Sequence, residues 1–286
     1  MSENTTTNAV SVASEAAPPT LRQQVSSMEH QFALAAPKGV EARQIVRDVL
    51  TAISQNPDLL KCDPQSVLGG AMTMAQLGLR VGVLGHGWLL PFRDWKTKQY
   101  KAQLIIGYQG LISLAHRSGQ IKSLSARVVH ENDHFDVEYG VNENLTHRPS
   151  AGDRGAVIGY YAVVKFLPDG HSFYYLTKTE AEVYRDRYAM AKNRNGEVVG
   201  PWKSEFDAMA MKTCIRQLSK FMPKGTDLAT ALAADETVRL DVQPTARPEH
   251  VSTHPEQPTA AETVHVGQVI DEPAPWEQAD EQGGEG

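Results

Sequence analysis

Cysteine is scarce in this sequence of 286 residues, which has only Cys62 and Cys214 and no CxxC pair. Two thiols are too few for the disulfide framework of a small secreted domain. The sequence also lacks any stretch approaching the roughly 20 apolar residues that span a bilayer. Its first residues have neither the basic start nor the apolar run of a secretory signal. These absences predict a soluble protein of a reducing cytoplasm.

Motifs for nucleotide hydrolysis and covalent catalysis are also missing. The segment GEVVGPWKS lacks the G-x-x-x-x-G-K-[ST] spacing of a phosphate loop, and Pro201 removes an amide that such a loop needs. The glycine-rich GLRVGVLGHG follows no predicted strand and does not fit a dinucleotide fingerprint. No Ser/His/Asp or paired-carboxylate arrangement stands out, and Cys214 beside an apolar arc is typical of a buried thiol. We therefore predict a protein that is not an enzyme and needs no cofactor.

One segment, HENDHFD, gathers possible metal ligands: His130, Asp133, His134 and Asp136. Alternate side chains of an extended strand point to opposite faces, so Asp133 would not share a face with the other three. A polar turn between strands is one interpretation of this segment. A metal-dependent nuclease that uses the His130–Asp136 cluster remains the alternative.

Charge is distributed unevenly along the chain. The formal net charge is −6, but residues 241–286 contain ten acidic residues and one basic residue, Arg247. Residues 1–240 therefore carry a net charge of +3. An acidic tail masks a mildly basic body, so the whole-chain charge does not exclude a nucleic-acid partner.

Composition divides the chain into three parts. Residues 1–37 are rich in Ser, Thr, Ala and Pro, and such a segment cannot bury enough apolar surface to offset the loss of chain entropy. We predict a flexible N-terminal arm there, in which only residues 21–34 are compatible with a short helix. The polar and acidic residues 234–286 predict a disordered tail, which leaves residues 38–233 as the folded core.

Periodicity within the core changes from helical to extended and back. Helical spacing covers EARQIVRDVLTAIS and DPQSVLGGAMTMAQLGL, the second with Asp63 as N-cap and Pro64 at the first helical position. Two strands around a turn are predicted in GWLLPFRDWKTKQYKAQLIIG and again in AVIGYYAVVKFLPDGHSFYYLT. A capping box of Thr179 and Glu182 begins a later helix. This order predicts an α+β fold: a small antiparallel sheet with β-hairpins, packed by helices.

The segment MAMKTCIRQLSKFMPKG combines an apolar and a cationic stripe. On a helix, four apolar residues share one arc: Met211, Ile215, Leu218 and Met222. Lys212, Arg216 and Lys220 recur every four residues beside that arc. No carboxylate between Asp207 and Asp227 neutralises them. The repeated cations match the repeated negative charge of a phosphate backbone, with a solvated basic face as the alternative.

Further cations lie in predicted strands and loops: Arg93, Lys96, Lys98, Lys101, Arg117, Lys122, Lys165 and Lys203. Aromatic residues are interleaved with them: Trp95, Tyr100, Tyr108 and Trp202. Basic and aromatic side chains together suit single-stranded nucleic acid, which presents both phosphates and stackable bases. Core packing is the alternative for the aromatic residues, and it is favoured for Tyr160, Tyr161 and Phe173.

The core resembles the RecT family, phage and prophage single-strand annealing proteins related more distantly to Red beta of phage lambda. Four blocks stand in the order and spacing of that family: IIGYQGLISLAHRSGQIKSLSARVVHENDHFDVEYG, LTHRP, RGAVIGYYAVVKF and PWKSEFDAMAMKTCIRQLSKFMP. The upstream NPDLLKCDPQSVLGGAMTMAQLGL is also similar to it. The resemblance covers residues 40–225 and neither end of the chain.

The resemblance implies ATP-independent binding of single-stranded DNA and annealing of complementary strands in phage-type homologous recombination and DNA repair. It implies a homo-oligomer, either a ring or a helical filament, with DNA in a positively charged groove. A phage exonuclease or a host single-strand-binding protein is an expected partner in the bacterial cytoplasm, with no role for a membrane. A structural phage protein that oligomerises without DNA is a further alternative.

The resemblance also implies which positions face DNA. Carried over position by position, Lys212, Thr213, Arg216 and Lys220 match the polar positions of the last block, although Met211 and Gln217 replace cations common in the family. The complete set of residues that we expect at the DNA groove is Lys101, Gln109, Arg117, Lys122, Lys165, Lys203, Lys212, Thr213, Arg216 and Lys220.

Overall fold

The computed structural model describes residues 18–94, 97–189, 191–193, 195–223 and 225–244, together with the backbone of residues 250–252. The helices are α1 (Leu21–Ser27), α2 (Glu29–Ala35), α3 (Ala42–Gln55), α4 (Pro64–Gln76), α5 (Tyr108–Arg117), α6 (Lys178–Tyr188), α7 (Pro201–Ser204), α8 (Phe206–Leu218) and α9 (Thr226–Ala234), with a 3₁₀ turn at Pro57–Lys61. The strands are β1 (Gly87–Arg93), β2 (Tyr100–Ile106), β3 (Ile121–His130), β4 (His134–Glu138), β5 (Asn144–Arg148), β6 (Val157–Phe166), β7 (His171–Thr177), β8 (Thr237–Arg239) and β9 (His250–Ser252).

Helix α4 is the central helix of the main core. It begins as predicted, since the Asp63 side chain accepts a hydrogen bond from a backbone N–H of the first turn and Pro64 follows it. Every residue from Ser66 to Ala75 is buried. Gly69 allows β8 to approach closely, because a Cβ at this position would lie 2.3 Å from the carbonyl oxygen of Arg239.

The N-terminal helices correct the predicted boundary at residue 37. Thr20 and Gln23 form a reciprocal capping box that starts α1. Three apolar side chains of α1 and α2 are buried in the main core: Leu21, Val25 and Phe32. Residues 21–35 therefore belong to the folded core and form two helices that meet at Met28. The flexibility predicted for residues 1–17 lies outside the described residues.

The first sheet contains the predicted β1–β2 hairpin and a strand that the sequence assigned to the tail. Strand β2 pairs on one side with β1 and on the other with β8, where Leu104 lies opposite Thr237. Arg239 of β8 is buried. The folded core thus continues beyond the predicted boundary at residue 233. The disorder predicted for residues 245–249 and 253–286 lies outside the described residues.

The second sheet has the order β3-β6-β7 and contains the predicted β6–β7 hairpin. Helix α8 packs on one face, where the Cys214 thiol donates a hydrogen bond to the Tyr160 carbonyl at 3.5 Å. Burial raises the pKa of this thiol, which confirms the prediction of a buried cysteine. A third, two-stranded sheet, β4–β5, covers the other face through Phe135, which stacks on Tyr161 with ring centroids 5.8 Å apart.

Small antiparallel sheets with helices packed against them confirm the α+β prediction. Within the described ranges, every helix is too short or too polar to cross a membrane.

Candidate nucleic-acid interface

The predicted cationic stripe does not face outward along its whole length, since Lys212 is buried, Arg216 is partly exposed and Lys220 is exposed. The Lys212 side chain is only 3% exposed, and its Nζ lies 2.8 Å from the Asp235 carboxylate and 3.3 Å from Glu236 Oε1. Asp235 also accepts hydrogen bonds from Arg216, at 2.5 Å, and from the backbone N–H of Ile106, at 2.8 Å. Lys212 is therefore an internal partner of the α9–β8 junction in this structure, and its contact with a phosphate backbone stays a prediction.

Two other residues of α8 that were predicted to contact DNA also form hydrogen bonds within the protein. Thr213 is buried, and its hydroxyl donates to the Met209 carbonyl at 2.9 Å. Arg216 keeps 26% of its side chain exposed beside its bond to Asp235. The neutralising carboxylates, Asp235 and Glu236, lie beyond the carboxylate-free interval between Asp207 and Asp227. They belong to a segment that the sequence predicts to be part of the tail.

Three of the predicted lysines converge at one end of the second sheet. Lys122 lies on β3 between Ile121 and Ser123. These two neighbours pair with the end of β6, where Ser123 is opposite Lys165. Lys220 follows α8, which packs on the same sheet. All three side chains are exposed. The structure thus brings lysines from three segments to one end of the second sheet, and we call these residues the lysine patch (Lys122, Lys165 and Lys220).

A shallow depression of about 510 Å³ lies at the same end of the second sheet. Its lining residues are Gly119, Gln120, Phe166, Leu167, Asp169, Phe221 and Pro223. Lys165 immediately precedes Phe166, Lys220 immediately precedes Phe221, and Lys122 is two residues from Gln120. Phe221 is 73% exposed and Leu167 is 51% exposed. Cations and accessible apolar surface therefore adjoin at this site.

Arg117 and Gln109, which were also predicted near the groove, lie on α5 and are not among the residues that line the depression. The Arg117 guanidinium donates a hydrogen bond to the Leu77 carbonyl and lies 3.7 Å from Asp227. Gln109 is exposed in the first turn of α5, where its side chain packs beside Gly85. Neither residue is part of the lysine patch.

Lys203 and Lys101 occupy two further locations. Lys203 lines a larger depression of mixed charge beside α6 and α8, which also contains Glu182 and Asp207. Lys101, on β2, forms an ion pair with Asp94 at 2.8 Å and is only 18% exposed. The ten predicted contacts therefore do not form one continuous surface, and whether the exposed ones bind DNA stays a prediction.

Most of the aromatic residues are packing residues. Trp202 is buried, with its ring centroid 5.6 Å from that of Phe206. Core packing is likewise confirmed for three residues of the second sheet: Tyr160, Tyr161 and Phe173. Tyr100 is 43% exposed and lies under the Arg93 guanidinium at 5.9 Å. Trp95 lies outside the described residues. Phe221, which the sequence analysis did not select, is the most exposed aromatic side chain among the described residues.

The His130–Asp136 segment forms a polar hub rather than a convergent ligand set. The Asp133 carboxylate, fully buried, accepts hydrogen bonds from Arg154 at 2.6 and 3.0 Å, from His147 at 3.0 Å, and from backbone N–H groups. These bonds, that of Arg154 above all, hold the pKa of Asp133 well below its usual range. In the part of the chain that the structure describes, no three His, Cys, Asp or Glu residues are grouped to hold a metal ion.

Cations near accessible aromatic surface are a feature of proteins that bind single-stranded nucleic acid. Comparison with known proteins identifies one family. The RecT family model matches residues 43–251. The chain is 40% identical to Protein RecT of Escherichia coli (strain K12) over 221 residues, which cover 76% of this chain and 80% of that protein. It is 31% identical to the uncharacterized protein YqaK of Bacillus subtilis (strain 168) over 236 residues, 79% of this chain and 78% of the relative. The chain belongs to the RecT family, and with it to the phage-type DNA recombination proteins.

Proposed function

We propose that this protein binds single-stranded DNA and anneals complementary strands without ATP, acting as an oligomeric ring or helical filament in phage-type homologous recombination. Membership of the RecT family supports the activity. The position of Lys122, Lys165 and Lys220 at the end of the second sheet that carries exposed apolar side chains supports the surface. A phage exonuclease or a host single-strand-binding protein is the partner class that we propose for the acidic tail.

In this proposal the protein neutralises phosphates and aligns one strand. Each lysine that pairs with a phosphate releases condensed counterions, which favours binding at low salt. The base edges stay available, and the bases of the incoming strand select their own complements. No covalent bond is made or broken, so no catalytic acid, base or metal is required.

The convergence of the lysine patch is the observation that carries the proposal. The three lysines come from β3, β6 and the end of α8, and all three are exposed. The proposed surface does not include Lys212 and Thr213, since both are buried in this structure. Arg216 contributes only partly to the proposed DNA surface, because its guanidinium donates a hydrogen bond to Asp235.

Annealing of two complementary oligonucleotides without ATP, while light scattering follows the oligomeric state, tests the activity. The surface is tested by changing the lysine patch to glutamine, all three residues together. A control changes three exposed lysines elsewhere to glutamine: Lys38, Lys178 and Lys192. The slope of log binding constant against log salt concentration is about −0.7 per phosphate contact on single strands. Loss of three contacts should therefore make the slope of the patch variant less steep by about 2.

The control variant has the same net charge as the patch variant and should keep nearly the whole slope. Equal losses in the two variants would show that only the overall charge matters, and the lysine patch would then not be the interface. Failure of the wild-type protein to accelerate annealing at low salt would contradict the proposed activity itself.

A further inference from the structure

We propose that the depression lined by Phe221, at the end of the second sheet that carries the lysine patch, is a nucleobase-binding site, in which the Phe221 ring stacks on a base of the bound strand. The inference rests on the proposed function and adds a second kind of contact to it. The lysines would hold phosphates, whereas Phe221 would hold a base and so fix where the strand lies along the protein.

The backbone at Phe221 is fixed by hydrogen bonds although the ring is exposed. Its backbone N–H donates to the Leu218 carbonyl at 3.0 Å, and the N–H of Lys220 donates to Gln217 at 3.1 Å. The Ser219 hydroxyl donates to the Arg216 carbonyl at 2.7 Å. The next residue, Met222, is buried and anchors the chain on the far side. The turn after α8 therefore fixes the backbone from which the ring extends into solvent, which lowers the backbone entropy cost of stacking.

The surroundings of Phe221 distinguish it from an isolated exposed apolar residue, which is common on protein surfaces. Phe166 and Leu167 line the same concave surface, so the apolar area is continuous. Gly119, at φ +68°, ends α5 and has nothing within 4 Å of the position that a Cβ would take. One side of the depression is thus open enough to admit a planar ring.

Charge favours a nucleic-acid occupant over a second copy of this chain. Each lysine of the patch lies within two residues of a lining residue in the sequence, and Asp169 is the single acidic residue among the described lining residues. Lysine is depleted in protein–protein interfaces, whose centres are poor in charge. Single-stranded nucleic acid, in contrast, presents a flat apolar base beside each negative phosphate. Lys220 and Phe221 are consecutive and match that alternation.

The test compares Phe221→Ala and Phe221→Leu with the wild-type protein and with the control Leu34→Ala, a comparably exposed apolar residue on α2. The probes are a fluorescein-labelled oligothymidine and an oligonucleotide of the same length in which every base is replaced by an abasic sugar. Loss of one stacking contact should weaken binding of oligothymidine by about 5- to 100-fold. Phe221→Leu should weaken binding of oligothymidine by a smaller factor, and Leu34→Ala should leave the affinity nearly unchanged.

Three results support the proposal when they occur together. The abasic strand binds Phe221→Ala as well as it binds wild type, the salt slope of this variant is unchanged, and its oligomeric state without DNA is unchanged. Equal weakening for the abasic and the normal strand would overturn the proposal, and so would unaltered binding of oligothymidine.

Dissociation of the DNA-free oligomer in Phe221→Ala would also overturn it and assign the depression to a contact between copies. None of these failures touches the proposed function, because the lysine-dependent salt slope and the wild-type annealing rate are measured separately.

Discussion

The Asp235 carboxylate is the position where a single substitution distinguishes an internal role of α8 from a DNA-binding one. Its side chain is fully buried and accepts hydrogen bonds from Lys212, Arg216 and the Ile106 backbone. Asp235→Ala leaves the ammonium of Lys212 buried, with Glu236 at 3.3 Å as its remaining partner among the contacts described above. Removing one member of a buried pair typically costs about 3–5 kcal/mol of unfolding free energy, and we expect a loss in that range.

Lys212→Met should cost less than Asp235→Ala. Methionine fills a similar volume without a charge, and the Asp235 carboxylate keeps its bonds to Arg216 and Ile106. We expect a loss of about 1–2 kcal/mol, comparable to the net contribution of one charge-assisted hydrogen bond. Because the two side chains touch, the double variant should be more stable than the sum of the single losses predicts, by about 1–3 kcal/mol.

Urea unfolding followed by circular dichroism measures these free energies, and the salt slope for oligothymidine binding is measured on the same samples. The internal role requires that Lys212→Met leave the slope unchanged. If the magnitude of that slope instead falls by about 0.7 while stability stays at the wild-type value, Lys212 faces DNA and the reasoning from its burial is refuted.

Three further substitutions test other parts of the fold. The hydrogen bonds of Asp133 lower its pKa, so its contribution to stability should be present above pH 4 and lost on acidification. This loss of stability should be shallower in Asp133→Asn. An unchanged dependence of stability on pH would contradict the role of Asp133 as a hydrogen-bonding hub. Burial, and then two nearby arginines, lower the pKa of His86, so protonation should reduce stability as the pH falls through about 6.5. His86→Asn should flatten that region of a thermal-melting profile, whereas a similar flattening in the exposed control His116→Asn would remove the assignment. Gly69→Ala should cost about 2 kcal/mol or more in urea unfolding through overpacking, and a comparable cost in the unobstructed control Gly152→Ala would show that the close approach is not the cause.

Local signals in the sequence predicted individual elements well. The β-branched and aromatic runs around the Pro-Asp-Gly turn form β6 and β7, and the Asp63-Pro64 start of α4 is observed. A capping box was placed two residues late, since Thr177 and Glu180 form it rather than Thr179 and Glu182. These features depend on residues within a few positions of one another, so the sequence contains the necessary information.

Long-range partners were not predictable in the same way. The burial of Lys212 depends on a carboxylate 23 residues away, on a segment whose composition resembled a tail. The depression beside Phe221 depends on how the end of α8 meets the β6–β7 turn. Spacing within a helix gives the angle between side chains but not the identity of what lies opposite them. That information comes only from the packing of the whole chain.

The lysine patch draws on residues 122, 165 and 220, so an unfolded or proteolytically nicked chain does not contain it. A ligand of the patch would therefore bind the native state alone and shift the unfolding equilibrium by mass action. At a free concentration of 100 times Kd this shift amounts to about 2.7 kcal/mol. The melting temperature would then report occupancy without any label, and unlabelled oligonucleotides of different length could be ranked by the thermal protection that each confers.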